Sequence, residues 1–243
     1  MNYKLTLLIL PLIILFSCSD DTLVPQEEYE YRNYMQLDTG NYWEYESFGI
    51  SKDGKAFLTP FGFDSTYVID SVNFNGRTAF SMGNRNITEG KRSTNNFYYS
   101  LDSNQIAISG IVLQVDDSLK ILRDEWTTIY DLYKGNWFNP PISFYDSAIG
   151  NASYNGYISF DGSNQGRTKI EYEGEKIQAF TTQLVIQYKL EQMKDTLKLI
   201  DKREEYSYRF AEGIGIIYEK YLEYKDSVLV GGYEKVIQKF NVK

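Results

Sequence analysis

Gln183-Leu184-Val185-Ile186-Gln187-Tyr188-Lys189-Leu190 is the stretch on which the fold turns. Leu184, Ile186, Tyr188 and Leu190 occupy every second position, and Gln183, Gln187 and Lys189 fall between them. Successive side chains of a strand point to opposite faces, so this period makes one apolar and one polar face. Residues 183–202 fit that alternation better than a helical period of 3.6. The same pattern holds Ile170 and Tyr172 between Lys169, Glu171 and Glu173, and Tyr206, Tyr208 and Phe210 around Ser207 and Arg209. It continues through Ile214, Ile216, Tyr218, Leu222 and Tyr224. An antiparallel sheet wetted on one side reads this way. The phase flips between Ile177/Ala179 and Leu184/Ile186, which predicts a β-bulge near Phe180–Thr182.

Outward from this stretch, β signals dominate from Gly40 onward. The chain uses 22 Tyr and 14 Phe, residues that suit a half-buried pleated surface. Asp53-Gly54, Asn75-Gly76, Asn155-Gly156, Glu173-Gly174 and Gly231-Gly232 read as turns, since the tightest hairpins need positive φ at their central residues. Short strands spaced at about ten residues with turns between them argue for a sandwich or a barrel. The expected fold is all-β: a single antiparallel meander forming a curved sheet, half-barrel or sandwich, with little helix. No fixed repeat and no linker divides the chain after Leu37, so residues 37–243 are expected to form one domain.

Composition narrows the chemistry. The 243 residues contain no His and one Cys, which removes Ser-His-Asp and Cys-His catalysis, His-liganded metals and intrachain disulfides. With 33 acids against 25 bases, nucleic-acid binding is not expected, because phosphate affinity needs clustered Lys and Arg. No metal or other cofactor is expected.

The first residues read as an export signal: Lys4, then a mostly apolar run from Leu5 to Phe16, then Ser17. The run is short of the roughly 20 residues a membrane span needs. Leu15-Phe16-Ser17-Cys18 resembles the bacterial lipoprotein lipobox. That resemblance implies removal of residues 1–17 and lipidation of Cys18, which anchors the chain to the membrane through two or three acyl chains. Ser19-Asp20-Asp21 and the acids at Glu27, Glu28 and Glu30 make residues 18–36 an acidic, self-repelling tether. Cys18-Ser19-Asp20-Asp21 is similar to the export tag of surface lipoproteins in the Bacteroidetes, which implies the outer membrane and the cell surface, with the periplasmic face as the alternative.

Seven Asp-Ser or Asp-Thr pairs followed by a small or aliphatic residue place hydroxyls at Thr22, Ser65, Ser71, Ser118, Ser147, Thr196 and Ser227. The pattern resembles the O-glycosylation motif of that phylum. It also arises where a turn hands over to a strand.

Three further stretches carry a wider resemblance. They are Gly40-Asn41-Tyr42-Trp43-Glu44-Tyr45, Tyr67–Val72 followed by Asn75-Gly76-Arg77-Thr78, and Ala211-Glu212-Gly213-Ile214-Gly215. Together they are similar to a group of exported lipoproteins from Bacteroidetes and relatives. The resemblance implies a fold like that of lipoprotein carriers, a curved antiparallel sheet over an apolar interior, and it brings no catalytic residue. Residues 83–165 match nothing in it.

Other constellations read as structure. Gly213-x-Gly215 lacks the helix a dinucleotide site requires; glycines on a strand more often admit a large side chain. Trp43 and Tyr45 share a strand face and read as core aromatics. Asp161–Gly166 faintly resembles a calcium loop but has Tyr172 where the bidentate Glu belongs, so it reads as a turn. Asp116-Asp117 and Asp124-Glu125 read as solvated strand ends. Trp137 and Phe138, adjacent within a Gly/Asn/Pro stretch, cannot both face the core by alternation and are the candidate ligand-binding residues. The alternative is a loop folded back as a plug.

The expected function is a membrane-anchored, non-enzymatic envelope lipoprotein that binds a lipid or other apolar ligand in an aromatic-lined cavity. The alternative is an accessory or scaffold lipoprotein that binds a protein or glycan partner. A carboxylate-based hydrolase lacks any visible acid pair at working distance.

Overall fold

The computed structural model describes residues 34–88, 91–102, 105–115, 120–131, 133–149, 152–172, 174–193 and 198–242. They form β1 (Tyr42–Ile50), β2 (Gly62–Phe74), β3 (Arg77–Thr88), β4 (Lys91–Asp102), β5 (Gln105–Ser109), β6 (Ile111–Gln114) and β7 (Lys120–Arg123). There follow β8 (Thr127–Asp131), β9 (Asn136–Ile149), β10 (Ala152–Tyr172), β11 (Glu175–Met193), β12 (Lys198–Ala211), β13 (Gly215–Lys225) and β14 (Val228–Asn241). Every pairing is antiparallel, and no described residue is helical.

Twelve strands make one sheet in the order β8-β5-β4-β3-β2-β1-β14-β13-β12-β11-β10-β9, and β6 pairs only with β7. Two meanders, β1 to β5 and β9 to β14, are therefore joined side by side where β1 meets β14. The sheet curls until its edges, β8 and β9, face each other. Side chains rather than a backbone ladder span that seam. The Asn139 amide presents Oδ1 to the Thr128 N–H at 2.7 Å and donates from Nδ2 to the Thr128 carbonyl at 3.2 Å, imitating one rung of a sheet. Trp137 Nε1 donates to the same carbonyl at 2.9 Å, and Asn164 Nδ2 donates to the Asp131 and Lys134 carbonyls.

The interior has two regions. On the β8–β11 side it is solid: Ile158, Phe160, Phe180, Leu184 and Leu190 are buried with Leu113 of β6, and Tyr130 stacks on Phe180 with ring centroids 4.2 Å apart. The β6–β7 hairpin is folded against this core. Lys202 Nζ ties it down by donating to the Gln114 carbonyl at 2.7 Å, and Arg123 lies 4.0 Å from the centre of the Phe160 ring. Tyr34, Met35 and Leu37 are also buried here. Packing therefore reaches into the stretch expected to be tether, at Tyr34 and Met35, because these apolar side chains gain more from the core than from water.

Several local expectations are corrected. Only β5 to β8 are short, at four or five residues; the remaining strands are longer, and β10 alone has 21 residues. The bulge lies on the neighbouring strand, where Gln165 is the extra residue between Asn164 and Gly166, opposite Thr182 and Thr181. β11 itself runs straight through Phe180–Thr182. Its phase change arises because Ile177 and Ala179 face outward into a second small cluster with Ala211, Ile214 and Ile217.

Asp161–Gly166 is strand, not turn. Asn155-Gly156 and Gly231-Gly232 also lie within strands. Gly156 and Gly232 stand where an added Cβ would sit 2.0 Å from the Lys189 and Tyr221 carbonyl oxygens. Neighbouring backbone, rather than a turn, requires glycine there. The β13–β14 turn falls instead at Asp226 and Ser227, with φ of 50° and 66°. Asn75-Gly76 is a turn as expected, with φ of 46° and 74°.

Candidate functional site

Beside the solid core, the curved sheet encloses a cavity of about 750 Å³. Its walls come from inward positions of β1 to β5 and β11 to β14, and the outward face of the β6–β7 hairpin borders it. Trp43, Tyr45, Phe97, Tyr99, Tyr206 and Tyr208 form much of the aromatic lining, supplemented by Leu184, Ile186 and Ile216. Alternation brings these residues together because each stands on the concave face of its strand. Val112, Leu122 and Asp124 also line the cavity and are solvent-exposed, which places the mouth at the hairpin.

Trp43 and Tyr45 hold the wall in shape. The β13–β14 ladder ends at Tyr218↔Val236, whereas β14 continues beside β1 to Asn241. Beyond that point β13 stays paired with β12 but has no ladder on its β14 side, where side chains of β1 take over. Trp43 Nε1 donates to the Ile214 carbonyl, and Tyr45 Oη donates to the Ile216 carbonyl at 2.7 Å. The Trp43 ring passes over Gly215, as expected of a glycine on a strand.

The cavity also carries buried charge. Lys235 of β14 lies 3.6 Å from Asp64 and 3.9 Å from Glu219. Asp64 accepts hydrogen bonds from Ser47 at 2.6 Å and Asn86 at 2.7 Å, and Glu219 accepts one from Tyr233 at 2.9 Å. Burial pulls the Lys235 pKa down, but Glu219 and Asp64 outweigh it and hold the ammonium above its ordinary value. Burial also pushes the Tyr99 and Tyr208 phenols up, and the Glu219 charge adds to the shift. Such phenols are poor proton donors at neutral pH. What they offer a guest is neutral hydrogen bonding.

A second charged group lies along the inner face of β12 and β13. Lys202 meets Glu204 at 2.6 Å, and Glu204 accepts hydrogen bonds from Tyr188, Tyr206 and Tyr221. Buried charges need such company to offset desolvation. No group of three potential metal-ligating side chains gathers among the described residues.

The two candidate binding residues lie elsewhere. Trp137 and Phe138 belong to β9 rather than to a loop, and neither lines the cavity. Trp137 is buried over Gly162, where a Cβ would come 2.0 Å from its ring, and its role is in the seam. Phe138 is 82% exposed on the outer face. Tyr145 and Tyr157, also exposed, belong to the same strand pair.

Of the hydroxyls in the glycosylation-like pattern, Ser71 and Ser227 are exposed, and Ser65 and Ser147 are half-buried. Ser227 fits the turn-to-strand explanation; Ser65 and Ser71 sit within β2 and do not. Cys18, Thr22, Ser118 and Thr196 lie outside the described residues, as do Asp116 and Asp117.

Two solved structures are similar in shape. One is a protein from Bacteroides fragilis assigned as exported, with a YmcC-like fold; it is 8% identical, at a TM-score of 0.46, with 86% of this chain and 98% of that chain covered. The other, assigned as a lipoprotein, comes from Parabacteroides distasonis; it is 9% identical, at a TM-score of 0.42, with 84% and 96% covered. No protein-family model matches the sequence, and no curated protein does.

Tyr99, Glu219 and Lys235 escaped the sequence reading. Glu219 and Lys235 sit on strands whose pattern is mostly apolar against polar, and nothing local marks an inward charge. The available signal was positional: Glu219 and Tyr221 occupy alternate positions on one strand.

Proposed function

We propose that this protein is a non-enzymatic lipoprotein of the cell envelope, anchored by lipid on Cys18, that binds a lipid or other apolar ligand in the cavity of its curved sheet. The observation that carries the reading is the cavity itself: about 750 Å³, walled mainly by aromatic and aliphatic side chains. Small-molecule sites typically span about 300–1,000 Å³ and combine an apolar lining with a few placed polar groups. The lipobox-like Cys18 and the acidic stretch after it support the anchored location.

Native mass spectrometry of the protein extracted from the membranes of its own organism tests the ligand. A noncovalent lipid mass, lost on denaturation, is the expected result; a bare chain from several extractions would remove the reading. Cys18→Ala is expected to abolish palmitate incorporation and release the protein into the soluble fraction. Persistent labelling would place the anchor elsewhere.

A second reading, an accessory lipoprotein docking a protein or glycan, draws on the exposed aromatics of β9 and β10. It expects Phe138→Ser to reduce crosslinking to envelope partners while leaving lipid content unchanged.

A further inference from the structure

The cavity is more particular than an apolar hole. Tyr99 and Tyr208 line it, and each is more than nine-tenths buried. Neither hydroxyl has a hydrogen-bond partner among the described residues, whereas the hydroxyls of Tyr45, Tyr206 and Tyr233 are all engaged. Both hydroxyls open on the cavity instead of being sealed in its wall, so they are placed to meet a guest there. The charge balance beside them is equally directed. Lys235 is the only cation among the lining residues; Glu219 shares the inner lining, Asp64 stands behind Lys235, and Asp124 adds a further negative charge at the exposed mouth. An anionic guest would meet a surplus of negative charge with little water to screen it. A group that both donates and accepts without charge fits the phenols, the Glu219 carboxylate and the Lys235 ammonium alike. Toward the mouth Ile111, Val112 and Leu122 offer an apolar path, with the Asp124 carboxylate at its solvent edge.

We infer that the cavity takes an uncharged amphiphile, its hydroxyl-bearing head set against Tyr99, Tyr208 and the Glu219–Lys235 pair and its apolar chain running toward Val112 and Leu122. This rests on the lipid-binding reading and specifies its ligand class. The head enters first, because the open hydroxyls are buried and the exposed apolar side chains are at the mouth.

Four probes that share one chain isolate the head: octyl glucoside, octyl sulfate, octyltrimethylammonium and octanol. Each is titrated calorimetrically into the mature protein below its micelle concentration. Octyl glucoside is expected to bind about tenfold more tightly than octyl sulfate or octyltrimethylammonium. Tyr99→Phe with Tyr208→Phe removes two hydrogen bonds and is expected to weaken glucoside binding about tenfold, and to weaken octanol, whose single hydroxyl makes fewer such bonds, by less. Glu219→Gln, which removes one of the repelling charges, is expected to strengthen octyl sulfate binding and serves as the second variant should the double substitution unfold. Equal affinity for all four probes, or a preference for either ion, would overturn the head-group assignment and leave the apolar cavity standing. Binding of none of them would sink the cavity reading itself.

Discussion

Ser227 carries a side chain in a backbone conformation that favours glycine. Its φ of 66°, next to Asp226 at 50°, builds the two-residue turn between β13 and β14. The left-handed region costs a residue with a Cβ about 1–2 kcal/mol. Ser227→Gly is therefore expected to raise stability by about 1 kcal/mol in urea titration, and an unchanged or lowered midpoint would show that the serine hydroxyl compensates. This turn was legible only as one of two readings of Asp226-Ser227, and the pair read as the hairpin turn nearby was Gly231-Gly232. Asn75-Gly76 was legible because its composition and its geometry agree. The difference is physical: Gly at an αL position announces itself, whereas Asp-Ser can serve a turn, a strand end or a modification site equally well.

At the scale of the element, the closure between β8 and β9 is the distinctive joint. Asn139 supplies both halves of a missing ladder rung to Thr128, and Pro140 and Pro141 follow directly. Proline belongs on edge strands because it cannot donate to a ladder, so this strand is built to meet a side-chain seam rather than another backbone. Asn139→Leu would strip the Thr128 N–H of its acceptor across the seam while the Thr128 carbonyl keeps its bond from Trp137, at about 1–3 kcal/mol for a buried group left unpaired. The expected signature is a selective rise in hydrogen exchange at Thr128, with the β11–β12 amides unaffected. A uniform rise would mean that the seam has no local identity. The alternation in residues 183–190 gave this part of the structure its strands correctly. It could not give the seam, because the stretch from Lys134 to Pro141 carries the glycine, asparagine and proline of a loop while pairing as a strand.

Across the whole molecule, the buried tyrosines couple stability to alkaline pH. Burial raises the phenols of Tyr45, Tyr99, Tyr188, Tyr206, Tyr208 and Tyr233 above their ordinary value. The folded state therefore keeps protons that the unfolded chain releases above about pH 10. Stability is present in full below that pH and falls as pH rises, by up to about 1.4 kcal/mol per pH unit for each such tyrosine. The raised Lys235 acts in the same direction. Chemical denaturation from pH 8 to 11 (about the span that brackets the free phenol) is expected to show a flat region and then a steep multi-proton decline. A single-proton slope would mean that most of these phenols reach water.

The fold class was readable because tyrosine alternation declares a sheet. The cavity was not, because an inward aromatic looks the same whether it meets another side chain or empty space. Strand order was equally hidden, since the pairing of β1 with β14 leaves no mark near either strand.

That pairing sets a schedule. Among the described residues, the first and last strands are neighbours in the middle of the sheet, while its edges, β8 and β9, come from between them in sequence. During synthesis or transit through a pore, β1 waits for almost the entire chain before its second partner arrives. Contacts so distant in sequence fold slowly. The two meanders can form separately, but the cavity wall that they share exists only once β14 has been delivered. Emptiness and completeness thus arrive together: the proposed binding cavity is not closed until β14 is in place.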